Sequence, residues 1–234
     1  MMRTWKRVVW FLLLATAIHG THWNSLSILK KREKAPSVLR IGEADPEYTA
    51  VAPPGFILKH FTFGYDHIIS DLMWLQVIQH VGGYLLGYSP VVNTFPLLEA
   101  IVTLDPLFRG PILFSSFTLS FDLKKPNQAI QLLWKGLQAE PRYWEYYFYI
   151  GFVYYFYMDN EEEAAQYFYA ASKMPNAPES PKRMGALLLE KRGEFETSYR
   201  MWYEVYQTTK DPLTKKRAEK KLKELEQTLK RGAK

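Results

Sequence analysis

The feature that most constrains the fold of this chain is a sequence period of 34 to 35 residues. Prolines that end helix-like stretches stand at Pro106, Pro141 and Pro175, at intervals of 35 and 34 residues. Small and large residues recur at the same period: Ala129, Leu133 and Gly136 return as Ala164, Phe168 and Ala171, and then as Ser198, Trp202 and Val205. Because a period of this length marks one supersecondary unit stacked several times, the chain is predicted to form an array of helical hairpins.

Two glycines of the first helices, Gly151 and Gly185, follow the same period at a separation of 34 residues. They let the two helices of a hairpin approach closely, and Phe168 or Trp202 fills the gap beside them. A glycine in the first helix, a small–large–small triplet in the second and a closing proline together resemble the tetratricopeptide repeat. The resemblance covers about residues 66–209 and implies an all-α fold, a short superhelix of helical hairpins with a C-terminal capping helix.

The chain is predicted to have three parts. Residues 1–34 form an N-terminal membrane anchor or signal segment, residues 35–65 a linker rich in proline, alanine and charge, and residues 66–234 the repeat domain with a capping helix at 211–231. Apolar residues at helical spacing and turn residues between them set the predicted helices. These are Asp66–Tyr84, Pro90–Leu104, Pro111–Leu123, Asn127–Ala139, Trp144–Met158, Asn160–Lys173, Ser180–Lys191, Glu194–Thr208 and Asp211–Lys230.

The N-terminus carries the pattern of a membrane segment. The apolar stretch over residues 8–29 is 22 residues long, enough to cross a bilayer as a helix, although its second half is more polar. A cleaved signal peptide with Ala15-Thr16-Ala17 as its cleavage site is the alternative. We expect a single-pass protein of the bacterial inner membrane with an extracytoplasmic repeat domain. The basic residues that flank the segment are Arg3, Lys6, Arg7, Lys30, Lys31 and Arg32.

The segment His60–Gly83 supports the same location. Its sequence Phe63-Gly64-Tyr65-Asp66, which leads into Ser70–Leu75, resembles the start of an uncharacterised group of bacterial proteins that join an N-terminal membrane segment to tetratricopeptide repeats. The resemblance implies a fold and a location but no activity.

The formal net charge of +6 does not describe a basic domain. Residues 1–40 carry a net charge of +7 and residues 210–234 of +6, whereas residues 41–209 carry −7. Since the body is acidic and no nucleic-acid-binding motif accompanies the basic ends, we expect no nucleic-acid partner.

The last predicted helix has an apolar stripe at Ala218, Leu222, Leu225 and Leu229, and lysine and arginine crowd its other faces. One apolar stripe opposite a solvated face is typical of the helix that caps a repeat array. A second and compatible interpretation is contact of this helix with anionic lipid headgroups.

Aromatic residues are concentrated in residues 143–157, where eleven of the fifteen positions are Phe, Tyr or Trp. In the register of the repeat, part of this stretch lines the concave surface on which such arrays bind a helix or an extended peptide. The alternative is that a short array closes on itself and these rings form its core. The predicted partner-binding residues are Phe114, Thr118, Phe121, Glu145, Phe148, Phe152, Tyr155, Lys182, Ala186 and Leu189.

Signatures of catalysis and of metal binding are missing from the sequence. It has no cysteine, no glycine-rich phosphate loop, no G-x-S-x-G and no H-E-x-x-H. His67 and Asp71 stand four residues apart and are predicted to contact each other on a helix surface, without a third metal ligand. We therefore expect neither an enzyme nor a bound metal or cofactor.

The function expected from these features is that of a membrane-anchored scaffold for protein–protein interaction, or an accessory subunit of a larger membrane-associated assembly. Its partners would be other protein subunits, bound on the concave face of the repeats. Two alternatives stay open. One is a structural subunit whose aromatic helices pack against transmembrane partners without a peptide groove, and the other is an enzyme with an unrecognised site.

Overall fold

The computed structural model describes residue 50, residues 52–87 and residues 92–232. These residues form ten α-helices and one π-helical turn, with no β-strand among them, which confirms the predicted all-α fold. The predicted membrane segment at residues 8–29 lies outside the described residues. Within the described part of the chain, no helix has both the length and the apolarity needed to cross a bilayer. The chain divides into two compact units, Met1–Pro111 and Ile112–Lys234.

The first unit is built on helices α1 (Gly55–Phe61), α2 (Asp66–Leu85) and α3 (Phe95–Leu104). Helix α3 contacts both α1 and α2, and its apolar residues are buried over most of its length, as expected of a helix that is apolar on every side. Pro96 in its first turn fits the start of a helix, where a backbone N–H has no helical partner.

Helix α1 was not predicted from the sequence. It has seven residues, too few to be stable alone, and is held by packing on α3. A Cβ atom at Gly55 would lie 2.5 Å from Cβ of Thr103 and 3.0 Å from Cα of Ala100, so only glycine allows the two helices to come this close. Leu58 of α1 joins the small core that Ala100 forms with its neighbours.

The second unit repeats a helical hairpin. Its first helices begin at residues 109, 144, 179 and 212, and its second helices at 126, 161 and 195, so equivalent helices start 33 to 35 residues apart. Consecutive helices from α5 onward contact each other along the chain. The helices are α4 (Arg109–Phe117), which runs on into the π-helical turn Thr118–Asp122, α5 (Pro126–Ala139), α6 (Trp144–Tyr157), α7 (Glu161–Lys173), α8 (Glu179–Lys191), α9 (Phe195–Thr208) and α10 (Pro212–Gly232).

The predicted helix bounds agree with the structure to within two residues, except at the start of α3, which was predicted at Pro90 and begins at Phe95. Prolines, glycines and, at two helices, a capping side chain mark the helix ends in the sequence. Asn160, for example, accepts a hydrogen bond from the backbone N–H of Glu163 at 3.1 Å and so starts α7.

The small–large–small triplets form the core of the hairpins. Phe168 is fully buried, and a Cβ atom at Gly151 would lie 3.1 Å from its ring, as predicted. The prediction that Trp202 fills the gap beside Gly185 was wrong: the nearest side-chain atom there is Cε of Met201, at 3.0 Å from the Cβ position. Unbranched methionine reaches this irregular gap, while Trp202 is buried elsewhere in the same core.

Helix α10 packs on α9 through the apolar stripe that the sequence predicted. Ala218 and Leu225 are buried in the core of the second unit, and Leu222 packs against it. Asp211, the residue before the helix, caps its N-terminus. The Asp211 carboxylate accepts hydrogen bonds from the backbone N–H groups of Leu213 at 3.3 Å and Thr214 at 3.0 Å.

Candidate functional site

Three of the ten predicted partner-binding residues lie in the core. Thr118, Ala186 and Leu189 are buried, so their side chains do not line a surface. The prediction carried the register along the chain at an interval of 34 residues, whereas the first helices α4, α6 and α8 begin 35 residues apart. An error of one residue turns a helical position by roughly 100°, which is enough to exchange a surface position for a core position.

Other predicted residues are held by contacts within the second unit. The ring centroid of Phe148 lies 5.5 Å from that of the buried Phe168. The Lys182 ammonium pairs with the Glu204 carboxylate at 2.8 Å and lowers the pKa of that carboxyl. These side chains are partly buried, which places them between core and surface.

Three further predicted residues are also partly buried. Phe114 lies on α4, and the Glu145 carboxylate accepts a hydrogen bond from the Tyr143 hydroxyl. The ring of Tyr155 lies beneath the Lys191 ammonium, which is 5.8 Å from the ring centroid. The two contacts restrict the orientation of the Glu145 and Tyr155 side chains.

An exposed aromatic surface does exist, and we call Phe117, Phe121, Phe152 and Phe156 the aromatic patch. Phe117, Phe121 and Phe156 expose 42%, 60% and 54% of their surface, and Phe152 is half-buried between them. Ring centroids lie 5.7 Å apart for Phe117 and Phe152, and 4.4 Å apart for Phe152 and Phe156. The rings of Phe117, Phe152 and Phe156 therefore form one continuous surface, and the exposed Phe121 stands four residues after Phe117.

The spacing of the patch residues matches the repeat, both from one hairpin to the next and along each helix. Phe117 and Phe152 are 35 residues apart, as are Phe121 and Phe156, and each pair on one helix is separated by four residues. Residues at this separation share a helix face. Sequence analysis identified Phe121 and Phe152 but missed Phe117 and Phe156. The signal for them was present in the interval of 35 residues between Pro106 and Pro141.

Two titratable groups beside the patch, Asp122 and Tyr157, are partly buried. Burial raises the pKa of the Asp122 carboxyl, although Lys124 acts in the opposite direction. Burial, with a smaller contribution from Asp122, also raises the pKa of the Tyr157 hydroxyl. The Lys124 ammonium lies 4.8 Å from the ring centroid of Phe121, a cation–π contact at the edge of the patch. The patch thus combines large apolar rings with a few charges at its margin.

The histidine that the sequence singled out has another partner in the first unit. Nδ1 of His67 lies 2.7 Å from Oδ2 of Asp105, not beside Asp71 as predicted. The loop after α3 brings Asp105 to this helix, a contact across 38 residues that helical spacing could not indicate. The hydrogen bond with Asp105 raises the pKa of His67. Within the described residues, no three His, Asp or Glu side chains are placed to share a metal ion.

No protein-family model matches this sequence, and no curated protein matches it. The candidate site therefore rests on the geometry of the chain itself.

Proposed function

We propose that this protein is a membrane-anchored interaction subunit whose aromatic patch binds another protein. The observation that carries the proposal is the surface formed by the contacting rings of Phe117, Phe152 and Phe156, together with the exposed Phe121 four residues after Phe117. Aromatic anchors dominate the binding energy of protein interfaces because they bury a large area with few rotatable bonds. The partner would contribute aliphatic side chains from a helix or an extended segment.

The repeat architecture supports this function. Hairpins at a spacing of 33 to 35 residues and the glycine–Phe168 contact support a tetratricopeptide-like superhelix, an architecture that binds partners on the face of its first helices. The aromatic patch is carried by α4, the π-helical turn and α6, which are the first helix of one hairpin and that of the next.

The membrane location is part of the proposal. Residues 8–29 would anchor the chain, ahead of the helices that the structure describes.

Capture of partners in mild detergent tests the proposal. The full chain and the double variant Phe121→Ser/Phe156→Ser are used as bait, and co-purified proteins are quantified by mass spectrometry. Both rings are more than half exposed, so the variant should remain folded by circular dichroism. We expect at least a tenfold loss of a specific partner, since truncating central aromatic anchors of an interface costs about 2 kcal/mol or more each.

The matched control is Tyr203→Ser on α9, an aromatic residue that is 50% exposed and lies on a second helix. It should retain the partner. Equal capture by the wild type and by the Phe121→Ser/Phe156→Ser variant would refute binding through the aromatic patch.

A further inference from the structure

The first unit has an exposed helix face of a different kind. More than half of the large exposed hydrophobic residues, ten of the nineteen in the described part of the chain, fall between Phe56 and Leu86. Four of them, Ile68, Leu72, Leu75 and Leu86 (the C-cap of α2), fall on one line of positions spaced 4, 3, 4, 3 and 4 residues apart, whose other two members are Gln79 and Gly82. This is the spacing of the seam between two packed helices. This seam, which we call the α2 stripe, consists of Ile68, Leu72, Leu75, Gln79, Gly82 and Leu86.

The α2 stripe points away from the core of its own unit. Ile69 and Met73 pack toward α1 and α3, and Val77 is fully buried. The aliphatic members of the stripe expose between 49% and 69% of their surface. A Cβ atom at Gly82 would meet no atom within 4 Å, so a notch is open on the same face. A helix with one buried face and a second apolar face lacks the solvated side of an ordinary surface helix.

We propose that the α2 stripe pairs with the α2 stripe of a second copy of this chain, in an antiparallel arrangement. The stripe is complementary to itself in this orientation. Its order brings Leu72 of one copy opposite Gly82 of the other, so the large side chain fills the notch. Likewise, Leu75 meets Gln79, and the ends of the stripe meet each other. A parallel pair would place Gly82 opposite Gly82 and leave a void, which is a loss of packing.

Charge also favours the antiparallel pair of identical chains. Asp71 is the one Asp, Glu, Lys or Arg residue between Asp66 and Leu86, and the only other titratable side chains apart from Tyr84 are His67, which pairs with Asp105, and His80. In the antiparallel pair the two copies of Asp71 are about 18 Å apart along the axis, because twelve residues of rise separate them. In a parallel pair they would stand at the same level, with the helix axes only about 8–10 Å apart. A partner chosen by charge would find almost nothing to recognise on this face.

The area of the α2 stripe limits the affinity of the dimer. Exposed aliphatic residues contribute on the order of 100 Å² each, so a pair of stripes with the flanking Ile78 covers roughly 1,000 Å² in total. This is about the smallest area for a specific interface, so the dimer is expected to be weak and dependent on concentration. Its residues are separate from the aromatic patch, so its failure would leave the proposed function intact.

Because the sequence has no cysteine, disulfide cross-linking of introduced cysteines tests the antiparallel pair without background from native thiols. Full-length Leu72→Cys and Gly82→Cys variants are purified in mild detergent, checked for folding by circular dichroism, and oxidised separately and as a mixture. The antiparallel pair predicts a disulfide-linked dimer in the mixture, at least tenfold above either variant alone. A mixture of Leu72→Cys with Leu107→Cys, which is 60% exposed and lies outside α2, measures random collision.

Analytical sedimentation of charged variants provides a second test of the dimer. Leu75→Glu should reduce the dimer fraction of the otherwise wild-type chain at least tenfold, whereas Leu107→Glu should leave it unchanged. Cross-linking of Leu72→Cys with itself would overturn the antiparallel register. A monomer at every concentration without any cross-link would overturn the dimer. Protection of the stripe from thiol labelling only in the presence of lipid vesicles would also overturn it, and would identify the bilayer as the occupant.

Discussion

Phe168 offers the strictest test of the idea that each hairpin is locked by one large residue between small ones. Its side chain is fully buried, its ring centroid is 5.5 Å from that of Phe148, and it lies against Gly151 of the facing helix. Phe168→Ala would leave a cavity at this contact. Phe156→Ala, in the preceding helix, removes the same ring from a position that is 54% exposed.

The structure sets different magnitudes for the two variants. Truncation of a fully buried phenylalanine costs about 3–5 kcal/mol of the free energy of unfolding, because the lost transfer free energy and the cavity add. Phe156→Ala removes only the roughly half of the ring that is buried against the protein, which corresponds to about 1 kcal/mol of the free energy of unfolding. The expected difference is about 2–4 kcal/mol. With a urea dependence of about 2–3 kcal/mol per M, this separates the two unfolding midpoints by roughly 1–2 M.

The assay is urea unfolding of the full-length chain followed by far-ultraviolet circular dichroism and by tryptophan fluorescence. Trp202 lies in the same core as Phe168 and is one of three tryptophans in the second unit, with Trp134 and Trp144, so part of the emission reports on the unit that the substitution affects. The reasoning is refuted if Phe168→Ala costs less than about 1 kcal/mol, or if Phe156→Ala costs as much as Phe168→Ala. Either result would mean that the triplet does not lock the hairpin.

Three further outcomes follow from close contacts, ion pairs and caps. Gly136→Ala is expected to lower the urea midpoint, because a Cβ atom there would lie 2.8 Å from Cζ of the buried Tyr146 ring. Asp105→Asn is expected to lower the pKa of His67 in an NMR titration, because it removes the hydrogen-bonded charge that raises this pKa. Because the folded pKa lies above the unfolded pKa, the pair stabilises the fold below the unfolded value. That stabilisation is lost as the pH rises through the folded value, so Asp105→Asn should cost more stability near pH 5 than near pH 8. Asp211→Ala is expected to lower the thermal midpoint by removing the cap of α10. Hydrogen bonds hold the pKa of Asp211 below its usual range, so the effect fades as the pH falls through the folded pKa.

Each of these outcomes has a control. Gly110→Ala should not destabilise the fold, because a Cβ atom there would lie at an ordinary contact distance of 3.8 Å from the Phe108 ring. Equal losses of stability at Gly110 and Gly136 would contradict the steric argument. Asp71→Asn should change the pKa of His67 far less than Asp105→Asn, since Asp71 is the weakest of its causes. An Asp211→Ala effect that stays constant down to acid pH would show that the carboxylate charge does not cap α10.

The helices were predictable because their ends carry local chemical signals. Asn160 and Asp211 cap the helices that follow them, and prolines and glycines mark the turns. Helix α1 lacked such a signal, because its stability comes from the contact of Gly55 with α3, which is distant in sequence. Sequence analysis also missed the pairing of His67 with Asp105, because these two residues are likewise distant in sequence.

The sequence period could not predict the burial of the three residues between Phe117 and Phe121, because this burial depends on the π-helical turn. Thr118, Leu119 and Ser120 are all buried, while Phe117 and Phe121 on either side of them are exposed. In an α-helix, three consecutive buried residues between two exposed ones would put Ser120 within roughly 60° of the exposed face. The wider π turn moves all three to the buried side and keeps both phenylalanines on the surface. A sequence period locates the repeats, but a single turn of different width decides which side chains the repeats present.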